Sequence, residues 1–237
     1  NNDKFMRFWH EVSVKKVGFG FETREDAKNS RMKWFPYCKG GSYRKWYGNL
    51  EYVVNWENDG FDIQNFRDEK TGGVRSHNYN LNFITFTAIS SSNFACRSMD
   101  NALFGSGGSG ICNIVPKYRL PLLALLNSKV SECLLNCLSL TMNFEVNTVG
   151  SLPFIVESKE EMLSKIVRET IELSKDEWDL FEIAWNFQNH PLVSANSTIL
   201  DAYNAWKITC NNRFNQLKSN EEELNRIFID IYGLQDE

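Results

Sequence analysis

The chain has 237 residues, 42% hydrophobic and 24% charged, with 14 Gly and 5 Pro, a composition that fits a folded globular protein and excludes a disordered or collagen-like one. No apolar run approaches the roughly eighteen residues of a membrane span, and no signal peptide opens the chain. The net charge is −4, unevenly placed: residues 1–155 carry 18 Lys/Arg against 14 Asp/Glu, net +4, whereas residues 156–237 carry 8 against 16, net −8, an asymmetry that hints at a polyanion-binding part joined to a solvated one.

The chain opens on Asn1-Asn2-Asp3 rather than Met and so reads as part of something longer. Val17-Gly18-Phe19-Gly20 lacks the spaced glycines of a nucleotide loop. Arg31 to Gly48 (RMKWFPYCKGGSYRKWYG) holds five basic residues, six aromatics and no carboxylate. Two readings stand for it: Lys and Arg on phosphates with aromatics stacking on bases, or core aromatics with merely solvated cations. Glu51–Trp56 is β-rich and ends at the turn signal Asn58-Asp59-Gly60. Further strands are predicted over Phe83–Ile89, Asn93–Arg97 and Ile111–Val115, and a short edge strand over Ser151–Ile155. Between the last two, Pro121 is expected to open a long buried helix to about Leu138.

Near residue 156 the period changes. Ser158–Glu161, Ser174–Glu177 and Ser219–Glu222 each fit a capping box and predict three helix starts. Met162, Ile166, Thr170 and Leu173 would line the first helix, Trp178, Phe181 and Trp185 the second, and Leu224, Ile227, Phe228 and Ile231 the last, which Gly233 would stop. Tyr203, Trp206, Cys210, Phe214 and Leu217 form a near-heptad stripe between them. The reading is an α+β protein: a mixed-sheet domain over residues 1–155, then an all-helical module over 156–237.

Little in the chain offers catalysis or metal binding. Six cysteines lie without pairs at metal-ligand spacing, which fits free thiols in a reducing compartment. Gly105–Gly110 satisfies G-x-G-x-x-G but leads into a β pattern, not a helix, and reads as a flexible connector. His10, His77 and His190 occupy unrelated contexts that point to no nucleophile triad.

Several stretches resemble the PglX-type adenine-specific DNA methyltransferases of BREX phage-defence systems, relatives of type IIG restriction-modification enzymes. These are Lys33–Tyr37, Lys39–Gly41, Tyr43–Gly48, Val54–Gly60, Ser90–Ala95, Leu125–Val130, Asn143–Val146, Leu152-Pro153, Glu172–Asp179 and Asn220–Gln235, in that order along the chain. The resemblance implies a target-recognition domain for double-stranded DNA, followed by a helical spacer. In such enzymes another domain carries an S-adenosylmethionine loop and an Asn-Pro-Pro-Tyr-type motif. This chain has no Pro-Pro and no matching loop, so it is expected to hold no cofactor or catalytic residue and to methylate nothing alone. The partners implied are double-stranded DNA and the methylase domain of the same parent, in the bacterial cytoplasm. A docking module for other defence proteins, or a self-standing specificity subunit, is the alternative. The phosphate-contact candidates are Lys33, Lys39, Arg44, Lys45 and Arg75; Ser91, Asn93 and Arg97 are the candidates for reading base edges.

Overall fold

The first sheet is built on two runs rich in aromatic and β-branched residues, β2 (Trp34–Cys38) and β3 (Tyr52–Asn55), which pair antiparallel with Phe35 opposite Val54. The computed structural model describes residues 2–68, 72–73, 81–138, 143–193 and 198–235. A helical turn, α1 (Asn2–Phe5), leads into β1 (Met6–Phe8), antiparallel to β3. The short helix α2 (Arg24–Asn29) follows, with Thr23 accepting the Asp26 amide as its N-cap. The predicted turn after β3 is present: α3 (Glu57–Asn65) opens with Asn58, Asp59 and Gly60 all left-handed, at φ 52°, 58° and 78°. A two-residue ladder, β4 (Arg67–Asp68) with β5 (Gly72–Gly73), comes next.

The second sheet centres on β6 (Phe83–Thr87), antiparallel to β7 (Cys96–Met99) on one side and β9 (Gly108–Ile111) on the other. Between them β8 (Leu103–Phe104) crosses to the first sheet and runs parallel to β2. Two predicted strands are thus shifted: Asn93–Arg97 towards β7, and Ile111–Val115 back onto the glycine run itself.

That run is no flexible connector. A Cβ on Gly108 would lie 2.4 Å from the Cys38 carbonyl oxygen and 2.5 Å from the Gly40 amide nitrogen, and Gly40 itself has φ +95°. Glycine at these positions lets two backbones touch, so the dinucleotide motif is absorbed by sheet packing.

The helical part also differs from its predicted boundaries. α4 (Pro116–Leu126) begins five residues before Pro121, with Pro116 in its first turn, and α5 (Lys129–Leu138) is separate. Asn127 between them is buried, accepting from the Cys96 amide at 2.8 Å and donating to the Cys96 carbonyl at 3.0 Å, as a neighbouring strand would. The predicted edge strand at 151–155 is instead turn and irregular chain after α6 (Val146–Gly150).

Of the three Ser boxes only the first marks a helix start: α7 (Glu160–Trp178) begins inside Ser158–Glu161, though Ser158 does not cap it, whereas Ser174 lies inside α7 and donates to the Thr170 carbonyl, and Ser219 lies inside α8 (Ile199–Ile231). The cap that works is Thr198, which accepts the Asp201 amide at 3.1 Å. The buried stripe of α7 runs through Leu163, Val167, Thr170, Ser174 and Trp178, whereas Met162 is exposed. Residues 179–193 are turns and irregular chain, so no helix carries Phe181 and Trp185. The end of α8 is as expected: Leu224, Ile227, Phe228 and Ile231 are buried, and Gly233 (φ +65°) closes it with Leu234 N–H on the Ile229 carbonyl.

The α+β class holds. The largest core joins Ile84, Phe86 and Cys96 of the second sheet to Leu123 and Leu125 of α4, Leu163 and Val167 of α7, and Leu224 and Phe228 of α8. Among the described residues the last strand ends at Ile111 and α4, α5 and α6 all precede residue 156, so the switch from strands to helices falls well before it, and the hydrophobic core runs across it.

Candidate nucleic-acid interface

The 42–48 loop, where the sequence concentrates cations and aromatics, faces the acidic helices. Trp46 is 2% exposed; its amide donates to Cys96, its carbonyl accepts from Ser98, and its indole Nε1 donates to Glu221 on α8 at 2.6 Å. Lys45 pairs with the other oxygen of Glu221 at 3.1 Å. Arg44 pairs with Glu177 on α7 at 2.8 Å and lies over the Trp178 ring at 4.9 Å. Both cations are half-buried, so their fork and ammonium are held inside the molecule by carboxylates.

Arg97, expected at a base edge, is 1% exposed and cannot reach one. Its position on β7 points it into the protein, where Nη1 donates to the Arg44 carbonyl at 3.0 Å and Nη2 to the Thr87 hydroxyl at 3.1 Å. Burial lowers its pKa, and the neighbouring Cys38 thiol is pushed up to about 12, again by burial. Arg97 therefore fixes the loop that carries Arg44 and Lys45. Tyr47, close by, is also pushed up to about 12, by burial first and then by Asp179 and Asp100.

Two other basic groups face water. Lys33 and Lys39 flank β2, about 20 Å apart at the rise of an extended strand. The Lys33 amide donates to the Lys16 carbonyl at 3.1 Å, which places Lys15, Lys16 and Lys33 in one patch; Lys15 and Lys16 are exposed and Lys33 half-buried. Sequence reasoning passed over Lys15 and Lys16; the adjacent cations were a signal, but only the backbone bond joins them to Lys33.

At the other end of β2, exposed Lys39 lies 4.6 Å over the Tyr52 ring. Tyr52 stacks on Phe8 at 4.7 Å, and Phe8, 41% exposed, stacks on His10 at 5.5 Å with rings 6° from parallel. Strand register creates this column, because Phe8 faces Tyr52 across β1 and β3.

Ser91 and Asn93 lie exposed between β6 and β7, with the Asn93 side chain donating to Glu132 on α5 at 2.7 Å. Arg75 lies outside the described residues. Among the described residues no group of three potential metal ligands occurs, and no helix is long and apolar enough to cross a membrane.

No family model matches the chain. Over its whole length it is 43% identical to the adenine-specific methyltransferase PglX of Lacticaseibacillus casei (strain Zhang). Over 98% of its length it is 31% identical to the adenine-specific methyltransferase BrxX of Escherichia coli O9:H4 (strain HS). It spans 20% and 18% of those relatives, about a fifth of each. The chain thus matches, from end to end, a stretch about one fifth of the length of the PglX and BrxX adenine-specific methyltransferases.

Proposed function

We propose that this stretch recognises double-stranded DNA for an adenine-N6 methyltransferase whose S-adenosylmethionine site and catalytic residues lie elsewhere in the parent polypeptide. The observation that carries this reading is the match, end to end, to a fifth of two proteins named adenine-specific methyltransferases. Such an enzyme must find its site and extrude one adenine from the stack. Cations fix the protein on phosphates and a few polar side chains read base edges in the groove. Lys15, Lys16, Lys33 and Lys39 suit the first task, because no carboxylate among the described residues holds them in an ion pair. Arg44 and Lys45 suit it less, since binding DNA would cost them Glu177 and Glu221. Ser91 and Asn93 are the base-reading candidates; Arg75 remains a phosphate candidate. The bacterial cytoplasm, where the chromosome lies, is the compartment this reading assigns.

The test is duplex binding by the chain across a salt series. Replacing Lys15, Lys16, Lys33 and Lys39 together by Ala is expected to weaken binding to every duplex and to lower the salt slope by about 0.9 per lost phosphate contact. Asn93→Ala is expected to relax sequence preference at one position by about 1–3 kcal/mol, leaving the slope unchanged. A chain without salt-dependent duplex affinity, or a quadruple variant with the parent slope, would sink the assignment.

A further inference from the structure

The helix α8 has 33 residues, about 50 Å at the usual rise, yet it buries its two halves very differently. Asn220, Leu224, Ile227, Phe228 and Ile231, all in the last twelve residues, are buried; before them only Ala202 is. The first half nevertheless carries Ile199, Tyr203, Trp206, Cys210, Phe214 and Leu217 at spacings of four and three, which place them on one face. Much of that face is open: Ile199 is 74% exposed, Tyr203 47% and Phe214 65%, with Leu200 at 67% on its shoulder. A groove of about 340 Å³ runs beside it between α7 and α8, lined by Leu173, Cys210, Phe214 and Leu217 and edged by Glu177 and Arg213.

We propose that this groove and the stripe beside it seat another segment of the methyltransferase polypeptide, an apolar-faced segment with an acceptor group opposite Arg213. The proposal rests on the reading that the chain works as part of a longer enzyme. Contiguous apolar surface of this extent marks a contact site in a stable protein. The length of the relatives says which contact: about four fifths of each lies outside the aligned stretch, and a tethered segment binds at high effective concentration. Arg213 lines the groove with its charge only loosely matched: Asp176 stands 3.9 Å from Nη2, and Nη1 is buried with no acceptor among the described residues. A second copy fits less well. Antiparallel pairing of two α8 helices centred on Cys210 sets Arg213 of each beside Lys207 of the other, cation against cation.

Cys210, exposed in the stripe, reports on the contact. In a background with Cys133→Ser and Cys137→Ser, its alkylation rate is measured without DNA in this chain and in the full-length methyltransferase carrying it. The expected result is labelling roughly tenfold or more slower in the full-length protein, independent of protein concentration, because the thiol reacts only when the docked segment opens. Tyr203→Glu with Phe214→Glu, both at exposed positions, is expected to restore fast labelling there. Equal rates in the two proteins overturn the proposal, as does protection of the isolated chain that fades on dilution, which would identify a second copy. Because no DNA is present, failure of DNA recognition leaves this readout unaffected.

Discussion

Replacing Trp46 by Ala is expected to lower the unfolding free energy by about 3–5 kcal/mol, the cost of emptying a large buried aromatic site. Trp46 is 2% exposed within the core that joins the second sheet to α4, α7 and α8, and its indole N–H holds Glu221. The substitution removes the packing and leaves Glu221 to Lys45 alone. Trp46→Phe keeps most of the ring and drops the hydrogen bond, so it is expected to cost less, of the order of 1–3 kcal/mol for the lost bond to a charged group and the residual void. Urea unfolding of both variants separates the two contributions. An Ala variant within about 1 kcal/mol of the parent, below the usual range for such truncations, would show that the loop docks without the indole.

Gly108→Val is expected to be the most damaging change in the glycine run. Any Cβ there meets the Cys38 carbonyl at 2.4 Å and the Gly40 amide at 2.5 Å, and both are backbone atoms that no rotamer change can clear. Overpacking of side chains costs about 1–3 kcal/mol; against fixed backbone the loss is expected at or beyond that upper end. Gly150→Ala is the control. Nothing lies within 4 Å of a Cβ at that position, the last of α6, and a helical Gly→Ala change is expected to be neutral or stabilising by up to about 1 kcal/mol. Thermal or urea melts of the two variants settle it: equal stability would mean that the two strands have room to part.

The α+β class was legible because β-branched and aromatic runs such as Tyr52–Asn55 and Phe83–Thr87 differ in period from the helical Leu224–Ile231. Helix starts were legible only in part: α7 opens inside the Ser158–Glu161 box, but the other two boxes fall within helices. Ser-x-x-Glu also occurs inside long helices, where the serine bonds to the preceding turn, as Ser174 does with Thr170. The effective cap at the start of α8 is Thr198 with Asp201, a pattern with Asp in place of the Glu of a capping box. The glycine run misled for another reason: a strand made of glycine carries no propensity signal, and only its contact with Cys38 and Gly40 gives it a place.

The candidate site was legible in kind and less so in its parts. Composition singled out residues 31–48, but it cannot tell a cation facing water from one facing a carboxylate more than a hundred residues away. Lys39 is of the first sort, Arg44 and Lys45 of the second. Arg97 shows the same limit: strand alternation can turn an arginine inwards, and only the fold supplies the Arg44 carbonyl and Thr87 hydroxyl that receive it.

Asn127 has a consequence for how the protein behaves at high concentration. β7 is one of the two outer strands of its sheet, and an outer strand with unpaired amides and carbonyls is a template on which another chain can add. Here the Asn127 carboxamide occupies both backbone groups of Cys96, and the main chain of Trp46 takes the Cys96 carbonyl and the Ser98 amide. One buried amide and one residue of loop thereby occupy the outward backbone groups of Cys96 and the Ser98 amide, so a neighbouring molecule meeting this border of the sheet finds those rungs already taken.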